Sequence, residues 1–150
     1  MGLSLAILLD SGPVGLLVHP RRPPELDLRM RMWRAAGATV FMPEISYYEV
    51  RRELRRLELR DSVSSLDDLA RTMPYLPITT AIIVQASELW ADIRRRGRPT
   101  ADALALDGEV ILAATAIALE GEFEDVVVVT NNTRHLDQLV RTARWDEFSP

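Results

Sequence analysis

Short apolar runs, each closed by polar or turn-forming residues, predict the strands of this chain. Leu3–Leu9 is apolar apart from one serine and runs into Asp10 and then Ser-Gly-Pro, which predicts a buried strand. Val126–Thr130 holds four valines and a threonine before two asparagines, a composition that favours β structure. Two shorter runs, Thr39–Met42 and Leu76–Ile78, predict further strands. These runs supply the strands of a small sheet.

Apolar residues three and four positions apart predict helices between these strands. The predicted helices are Glu25–Ala36, Glu44–Arg60, Asp61–Met73, a segment capped by Thr79 or Thr80 that runs to Arg96, and Leu106–Glu120. Strands separated by helices are typical of a parallel sheet covered on both faces, because a parallel crossover needs about a dozen residues. The predicted fold class is therefore α/β, in one domain over residues 1–150, since no repeat or linker interrupts the pattern.

Composition excludes several classes of site. The 150 residues include no cysteine, which excludes disulfides, thiolate zinc sites and cysteine nucleophiles, so a metal must be bound by oxygen atoms or by His19 and His135. No apolar run approaches the roughly 18 residues of a membrane helix, and no signal peptide is evident. We therefore expect a cytoplasmic protein without a membrane partner. All 18 basic residues are arginine, although the net charge is -4.

Polar side chains follow the two clearest strands. In parallel sheets, ligands bind beyond the carboxyl ends of the strands. Asp10 ends the first strand, and Asn131 and Asn132 follow the valine strand, so these side chains would share one crevice if the two strands are neighbours. The alternative is that Asp10 caps the turn or helix that follows, the commoner role of an aspartate before Ser-Gly-Pro. These residues alone leave both roles open.

Glu49 is a second candidate, within the predicted helix that begins at Glu44. It shares the inward side of that helix with Ile45 and Tyr48 at helical spacing. The alternative is that Glu49 pairs with Arg52, three residues further on, along a solvated face. Judged from this helix alone, the two interpretations are equally supported.

Asp107 and Glu109 lie ahead of a strongly apolar helical segment. Acidic residues in the first turn of a helix are stabilised by its dipole, which is a sufficient structural reason for one of them. Two residues two positions apart point to different sides of a helix. At most one of the pair would therefore face a common crevice, unless the helix begins between them.

Taken in order, four motifs resemble those of the PIN-domain family, in the style of the toxin ribonucleases of bacterial toxin–antitoxin modules. They are LLDSG, SYYE about forty residues later, an acid ahead of ILAATA, and VVVVTNNTRHL. The likeness extends from Leu5 to about Trp145. It implies a three-layer α/β/α sandwich around a central parallel sheet of four or five strands.

The resemblance also implies site residues. Asp10 and Glu49 match the first and second metal-binding acids of the family, and Glu109 matches the third, with glutamate where aspartate is usual. Asp107 is kept as a nearby substitute or supplementary ligand, and Asn132 matches a fourth position that holds aspartate or asparagine. The catalytic set expected from the resemblance is therefore Asp10, Glu49, Asp107, Glu109 and Asn132, with the four acids as metal ligands.

Two further positions follow from the same motifs. Thr130 matches a threonine that orients this corner of the family's site, and we count it among the substrate-binding residues. Gly12 stands where the family often has asparagine, so support for the first acid is expected to be weaker or to come from Ser11. His135 is expected to be a capping or packing residue.

The resemblance implies a Mg²⁺- or Mn²⁺-dependent endoribonuclease acting on single-stranded or structured RNA, the toxin of a toxin–antitoxin pair. A cognate antitoxin and a second copy of the chain, as a homodimer, are the implied protein partners. The chemistry is consistent, because carboxylates gathered in one pocket repel one another unless a divalent cation is present, and Mg²⁺ accepts carboxylate oxygens and waters. The alternative is a catalytically inactive PIN-like module that binds RNA or protein. A phosphoacceptor receiver domain is disfavoured because the chain has no lysine.

Two arginine clusters could contact the phosphates of RNA. The second is preferred, because Asp92 is the one acid beside it; it comprises Arg94, Arg95, Arg96 and Arg98. For the first cluster, a solvated helix face is as well supported as RNA contact; it comprises Arg51, Arg52, Arg55, Arg56 and Arg60.

Overall fold

The computed structural model describes residues 4–97 and 103–150, and within them one parallel sheet of five strands lies between helices. The strands are β1 (Leu5–Leu9), β2 (Thr39–Pro43), β3 (Tyr75–Leu76), β4 (Asp125–Thr130) and β5 (Thr142–Arg144). Their order in the sheet is β3-β2-β1-β4-β5, and every neighbouring pair is parallel. The predicted α/β class is confirmed. The short β5 was not predicted, because three residues of mixed polarity carry no strand signal.

Six helices connect and flank these strands in the described ranges. They are α1 (Ser11–Leu17), α2 (Pro24–Ala35), α3 (Glu44–Arg56), α4 (Arg60–Thr72), α5 (Thr80–Arg95) and α6 (Ala103–Leu119). A 3₁₀ turn follows β4 at Leu136–Gln138. As predicted, Thr79 caps α5, since its hydroxyl accepts a hydrogen bond from the Ile82 N–H at 3.2 Å. None of the helices described combines the length and the apolarity needed to cross a membrane.

The sequence left open whether Asp10 caps a turn or a helix, and the structure shows that helix α1 follows it. Pro13 lies in the first turn of the helix, where a missing N–H costs nothing because no intrahelical partner exists there. Asp10 is the N-cap residue and accepts a hydrogen bond from the Ser11 N–H at 2.7 Å. The Ser-Gly-Pro sequence therefore begins a helix directly at the end of β1.

The single helix predicted for Glu44–Arg60 ends four residues early. Helix α3 stops at Arg56, and Glu58 takes the left-handed conformation with φ +59° before α4 begins at Arg60. A left-handed residue directs the chain away from the helix axis. The residue is a glutamate rather than glycine, so the sequence carries no usual stop signal at this point.

The sheet is covered on both faces, which confirms the predicted three layers. Alternate residues of β1 point to opposite sides, so Ile7 and Leu9 pack with α1, α2 and α4, whereas Ala6 and Leu8 pack with α6. Helix α5 packs on α6 through a separate apolar cluster. Strand β1 lies in the centre of the sheet, with β2 on one side and β4 on the other. The chain continues from β1 to β2 and returns to the other side of β1 only at β4. The carboxyl ends of β1 and β4 therefore form a switch point, the usual place for a ligand crevice.

Candidate active site

A pocket of about 390 Å³ opens at the carboxyl ends of β1 and β4. We call it the carboxylate pocket, because three of its lining residues are acidic and come from three distant segments of the chain. Its lining residues are Asp10, Ser11, Glu49, Arg52, Gly108, Glu109, Leu112, Asn132, Arg134 and Leu136. The pairing of Leu9 with Val129 makes β1 and β4 neighbours, as the crevice hypothesis required. Another hollow, of about 590 Å³, lies away from these carboxylates between α4 and the loop after α1.

Asp10 is held at the floor of the pocket by two hydrogen bonds. Its Oδ1 accepts from the Ser11 N–H, and its Oδ2 accepts from the Thr130 hydroxyl at 2.7 Å. Thr130 is buried and ends β4, so one strand end fixes the carboxylate at the end of the other. The two roles considered for Asp10 are therefore compatible: it caps α1 and also lines the pocket. Thr130 itself does not line the pocket; it positions Asp10.

Glu49 reaches the pocket from α3, where two small residues fix it. The buried Ser46 donates its hydroxyl hydrogen bond to the Leu9 carbonyl at 2.7 Å, which ties the first turn of α3 to the end of β1. Gly108 leaves room for the carboxylate, because a Cβ built there would lie 2.6 Å from Glu49 Oε2. Glycine at position 108 therefore allows the end of the Glu49 side chain to lie against α6, where any larger residue would displace it.

Glu109 lies between the carboxylate pocket and a cavity of about 40 Å³ behind it. His135 and Arg96 line that second cavity. His135 has φ +72° and ψ −52°, and a positive φ is uncommon for residues other than glycine. The residues on either side of it, Arg134 and Leu136, both line the carboxylate pocket, so the turn at His135 positions both of them at the site.

The acidic side chains of the pocket perturb one another. Burial raises the pKa of Glu49, and the negative charge of Asp10 raises it further, while Arg52 opposes this rise. Burial also raises the pKa of Glu109; the charge of His135 lowers that pKa and the charge of Asp10 raises it. Gathering these groups therefore costs free energy in the absence of a cation.

The donor set of the pocket suits a hard divalent cation that retains water. Among the described residues, no three acidic or histidine side chains lie close enough together to form a preassembled metal site. Mg²⁺ is commonly held by one or two carboxylates with several waters, so the pocket fits that ion better than one needing a full set of protein ligands.

The two asparagines after β4 have different positions. Asn132 lines the carboxylate pocket, and its Oδ1 accepts a hydrogen bond from the Arg134 N–H at 3.0 Å, which shapes the turn. The Asn131 side chain lies beside Gly12, since a Cβ at position 12 would lie 2.5 Å from Asn131 Nδ2. The amide of Asn131 therefore occupies the space that a side chain at position 12 would fill.

The structure does not bring Asp107 to the carboxylate pocket. Both Asp107 and Glu109 lie within α6, and residues two apart on a helix point to different sides. Asp107 is exposed and lines a shallow apolar hollow with Ile83 and Trp90 of α5. Of the two acids, Glu109 faces the pocket.

Of the arginines predicted to contact RNA, the three that the structure describes do not line the carboxylate pocket. Arg94 lies over the Trp90 ring, 5.4 Å from its centroid, and Arg95 pairs with Asp92. Arg96 lines the small cavity behind Glu109, and Arg98 lies outside the described residues. The cationic side chains that line the carboxylate pocket, among residues 4–97 and 103–150, are instead Arg52 and Arg134.

Sequence reasoning missed four contributors to this site, and two of them carried a signal. A glycine inside a helical pattern, as at Gly108, often marks a close approach of another group. Ser46 begins the SYYE motif but was given no role. Arg52 was not singled out from its cluster, for which RNA contact and a solvated helix face were equally supported, and Arg134 follows the asparagines without any feature of its own. Both arginines needed the tertiary structure to be recognised.

Comparison of the whole chain with solved structures finds similar folds. VapBC2 from Rickettsia felis, bound to a DNA fragment from its promoter, is 15% identical with a TM-score of 0.74, and the match covers 93% of this chain and 98% of that one. DNA-bound VapBC from Salmonella typhimurium is 18% identical with a TM-score of 0.72, covering 94% and 98%. FitAcB from Neisseria gonorrhoeae is 18% identical with a TM-score of 0.64, covering 95% and 99%. No protein-family model and no curated protein matches the sequence.

These identities are low, so the likeness concerns the fold rather than shared activity. The matches extend over more than nine-tenths of both chains, and the parallel sheet with helices on both faces agrees with them. The chain therefore has the same fold as these VapBC and FitAcB structures, which is the fold implied by its resemblance to PIN domains.

Proposed function

We propose that this protein is a Mg²⁺- or Mn²⁺-dependent endoribonuclease and the toxin of a cytoplasmic toxin–antitoxin pair. One observation carries the proposal: Asp10, Glu49 and Glu109, from three separate segments, line one pocket at the switch point of a PIN-type sheet. A fold that brings distant carboxylates together against their repulsion indicates a function for that arrangement.

The carboxylates supply the binding site for the ion in this proposal. Asp10 and Glu109 would be direct ligands, with Glu49 as a further ligand or as the group that holds a bound water. A Mg²⁺ or Mn²⁺ ion held there would lower the pKa of a bound water and neutralise charge that develops on the phosphate. The cation would also offset the effects of burial and of charge repulsion that raise the pKa values of Glu49 and Glu109.

The remaining side chains of the pocket position the substrate and the acids. Arg52 and Arg134 lie where a phosphodiester would approach the carboxylates, and guanidinium groups bind phosphate oxygens with two parallel hydrogen bonds. Thr130 holds Asp10 at 2.7 Å, and Ser46 holds α3 against β1. Asn132, uncharged and fixed by its own turn, would contact the site through water.

The partners in this proposal are an antitoxin and a second copy of the chain. The similar solved structures are complexes of the VapBC and FitAB type, which supports an antitoxin partner. Ile83 and Val84 of α5 are large apolar side chains with 48% and 55% exposure, which supports a protein contact on this helix. Light scattering of the pure protein would measure the oligomeric state.

The test is cleavage of a panel of single-stranded and structured RNAs by the pure protein, with Mg²⁺ or Mn²⁺ and then with EDTA. We expect cleavage that needs the metal and is abolished in Asp10→Asn. Cleavage that survives either treatment would reject this site. Absence of cleavage with retained RNA binding would favour the alternative, a catalytically inactive PIN-like module. One observation favours the inactive module: among the described residues, no three metal-ligating side chains form a preassembled cluster.

A further inference from the structure

We infer that Tyr48 and Arg52 form a stacking site for an unpaired base next to the carboxylate pocket. The inference rests on one part of the proposed function, namely that the substrate is a nucleic acid. It adds a residue that would select single-stranded substrate, since a base must leave its helix to stack on a protein side chain.

Tyr48 is exposed in a way that core packing does not explain. Its neighbours Ile45 and Ser46 on the same helix are buried, whereas Tyr48 is 54% exposed. The other aromatic side chain on the surface of the protein, among described residues, is Trp90 on α5. A large ring left in water beside a candidate site is available to a ligand.

Arg52 connects this ring to the pocket. The two residues are four apart on α3, and the Arg52 guanidinium carbon lies over the Tyr48 ring, 5.0 Å from its centroid. The same guanidinium has its Nη2 3.8 Å from Glu49 Oε2 and lines the carboxylate pocket. The exposed ring and the pocket carboxylate are therefore separated by a single guanidinium group.

This arrangement suits one nucleotide of a single strand. A phosphate bound by Arg52 at the pocket would place its own or the adjacent base near the Tyr48 ring. Proteins that bind single strands combine such a cationic track with an aromatic ring, and stacking is tolerant of base identity because every base has a π-face. The site would therefore favour an unpaired base at the cut without selecting its sequence.

The chain offers a matched control. Trp90 and Arg94 on α5 repeat the same geometry, with the guanidinium carbon 5.4 Å from the ring centroid and the ring 37% exposed. Trp90 lines the apolar hollow with Asp107, and neither Trp90 nor Arg94 lines the carboxylate pocket. Trp90→Leu therefore removes an exposed aromatic ring of the same kind without touching the proposed site.

The experiment measures steady-state cleavage of an RNA that the wild type cuts, by Tyr48→Leu, Tyr48→Phe and Trp90→Leu. We expect Tyr48→Leu to raise KM roughly 5- to 150-fold with kcat little changed. Tyr48→Phe and Trp90→Leu should behave like the wild type. On the same RNA with an abasic nucleotide beside the cut, Tyr48→Leu and the wild type should have equal KM.

A second measurement separates this inference from the nuclease proposal. Binding of a single-stranded RNA that carries 2-aminopurine is followed by fluorescence in metal-free protein, where stacking on Tyr48 quenches the probe. Quenching that is lost in Tyr48→Leu, in a protein without cleavage activity, would support the stacking site while the nuclease proposal fails. Unchanged KM and unchanged quenching in Tyr48→Leu would overturn the stacking site. A loss of antitoxin binding alone would also overturn it, since the ring would then be a protein contact.

Discussion

Gly108→Ala should separate the stability of the protein from the integrity of its site. Gly108 lies inside α6 without a left-handed backbone, so alanine is conformationally acceptable there. The added Cβ would lie 2.6 Å from Glu49 Oε2, whereas ordinary van der Waals contact begins at 3.4 Å. The carboxylate must therefore retreat by about 0.8 Å, the difference between these distances. It can do so, because it is the end of a flexible side chain.

The expected magnitudes follow from these two effects. Replacing glycine by alanine inside a helix stabilises it by up to about 1 kcal/mol, which raises Tm by roughly 2 to 4 °C for a chain of this size. Displacing Glu49 from the pocket should lower metal-dependent cleavage about 10- to 100-fold, the effect of a misplaced or unsupported group at a metal site. The variant should be as stable as the wild type or more stable, and much less active.

Thermal unfolding in EDTA gives the first quantity, and cleavage with saturating Mn²⁺ gives the second. Gly15→Ala is the matched control, because Gly15 lies inside α1 and a Cβ there meets nothing within 4 Å. It should gain similar stability and keep full activity. If Gly108→Ala lowers stability by more than 1 kcal/mol, Glu49 cannot retreat as argued. If it cleaves like the wild type, the contact between α3 and α6 has no role in the site.

Three other side chains of the site and one pH profile give further predictions. In Asp10→Asn, Mn²⁺ should raise Tm less than in the wild type, because one carboxylate of the proposed ion site is lost; equal shifts in thermal denaturation would argue against Asp10 as a ligand. Thr130→Val leaves the Asp10 Oδ2 without its partner, so urea denaturation should show a loss of about 1 to 3 kcal/mol. Ser46→Ala should cost a similar amount, since a buried carbonyl at the end of β1 loses its donor; a neutral result would mean that water replaces the hydroxyl. Burial raises the folded-state pKa of Glu49 above its ordinary value of 4.5, so its contribution to stability is full below that value and is lost as pH rises through the raised pKa. The free energy of unfolding of metal-free Glu49→Gln, measured by urea denaturation between pH 4 and 7, should therefore fall less with pH than that of the wild type, and parallel profiles would contradict the assigned pKa shift.

The elements with strong local signals could be predicted from the sequence. The apolar runs ending at Leu9 and Thr130 are the paired strands β1 and β4, and the Thr79 cap begins α5 as expected. The alternation of predicted strands and helices along the chain was sufficient to predict the α/β class. Local sequence signals did not predict where α3 ends, because the residue with a left-handed φ after it is Glu58 rather than a glycine. They also failed at Pro13, where a residue usually taken as a breaker lies in the first turn of a helix.

The sequence by itself determined which carboxylates were candidates for a metal site, because the order and spacing of Asp10, Glu49 and Glu109 are properties of the chain. Only the tertiary structure decided which acids face one another. The sequence alone does not distinguish Asp107 from Glu109 as a site residue. The rotation of α6 about its axis against α3 directs Glu109 into the carboxylate pocket and Asp107 toward α5. The same holds for the arginines, since Arg52 and Arg134 are distant in sequence and meet at one pocket. Periodicity fixes the relative directions of side chains along one helix, but how that helix is rotated depends on the packing of all the others, which no local pattern encodes.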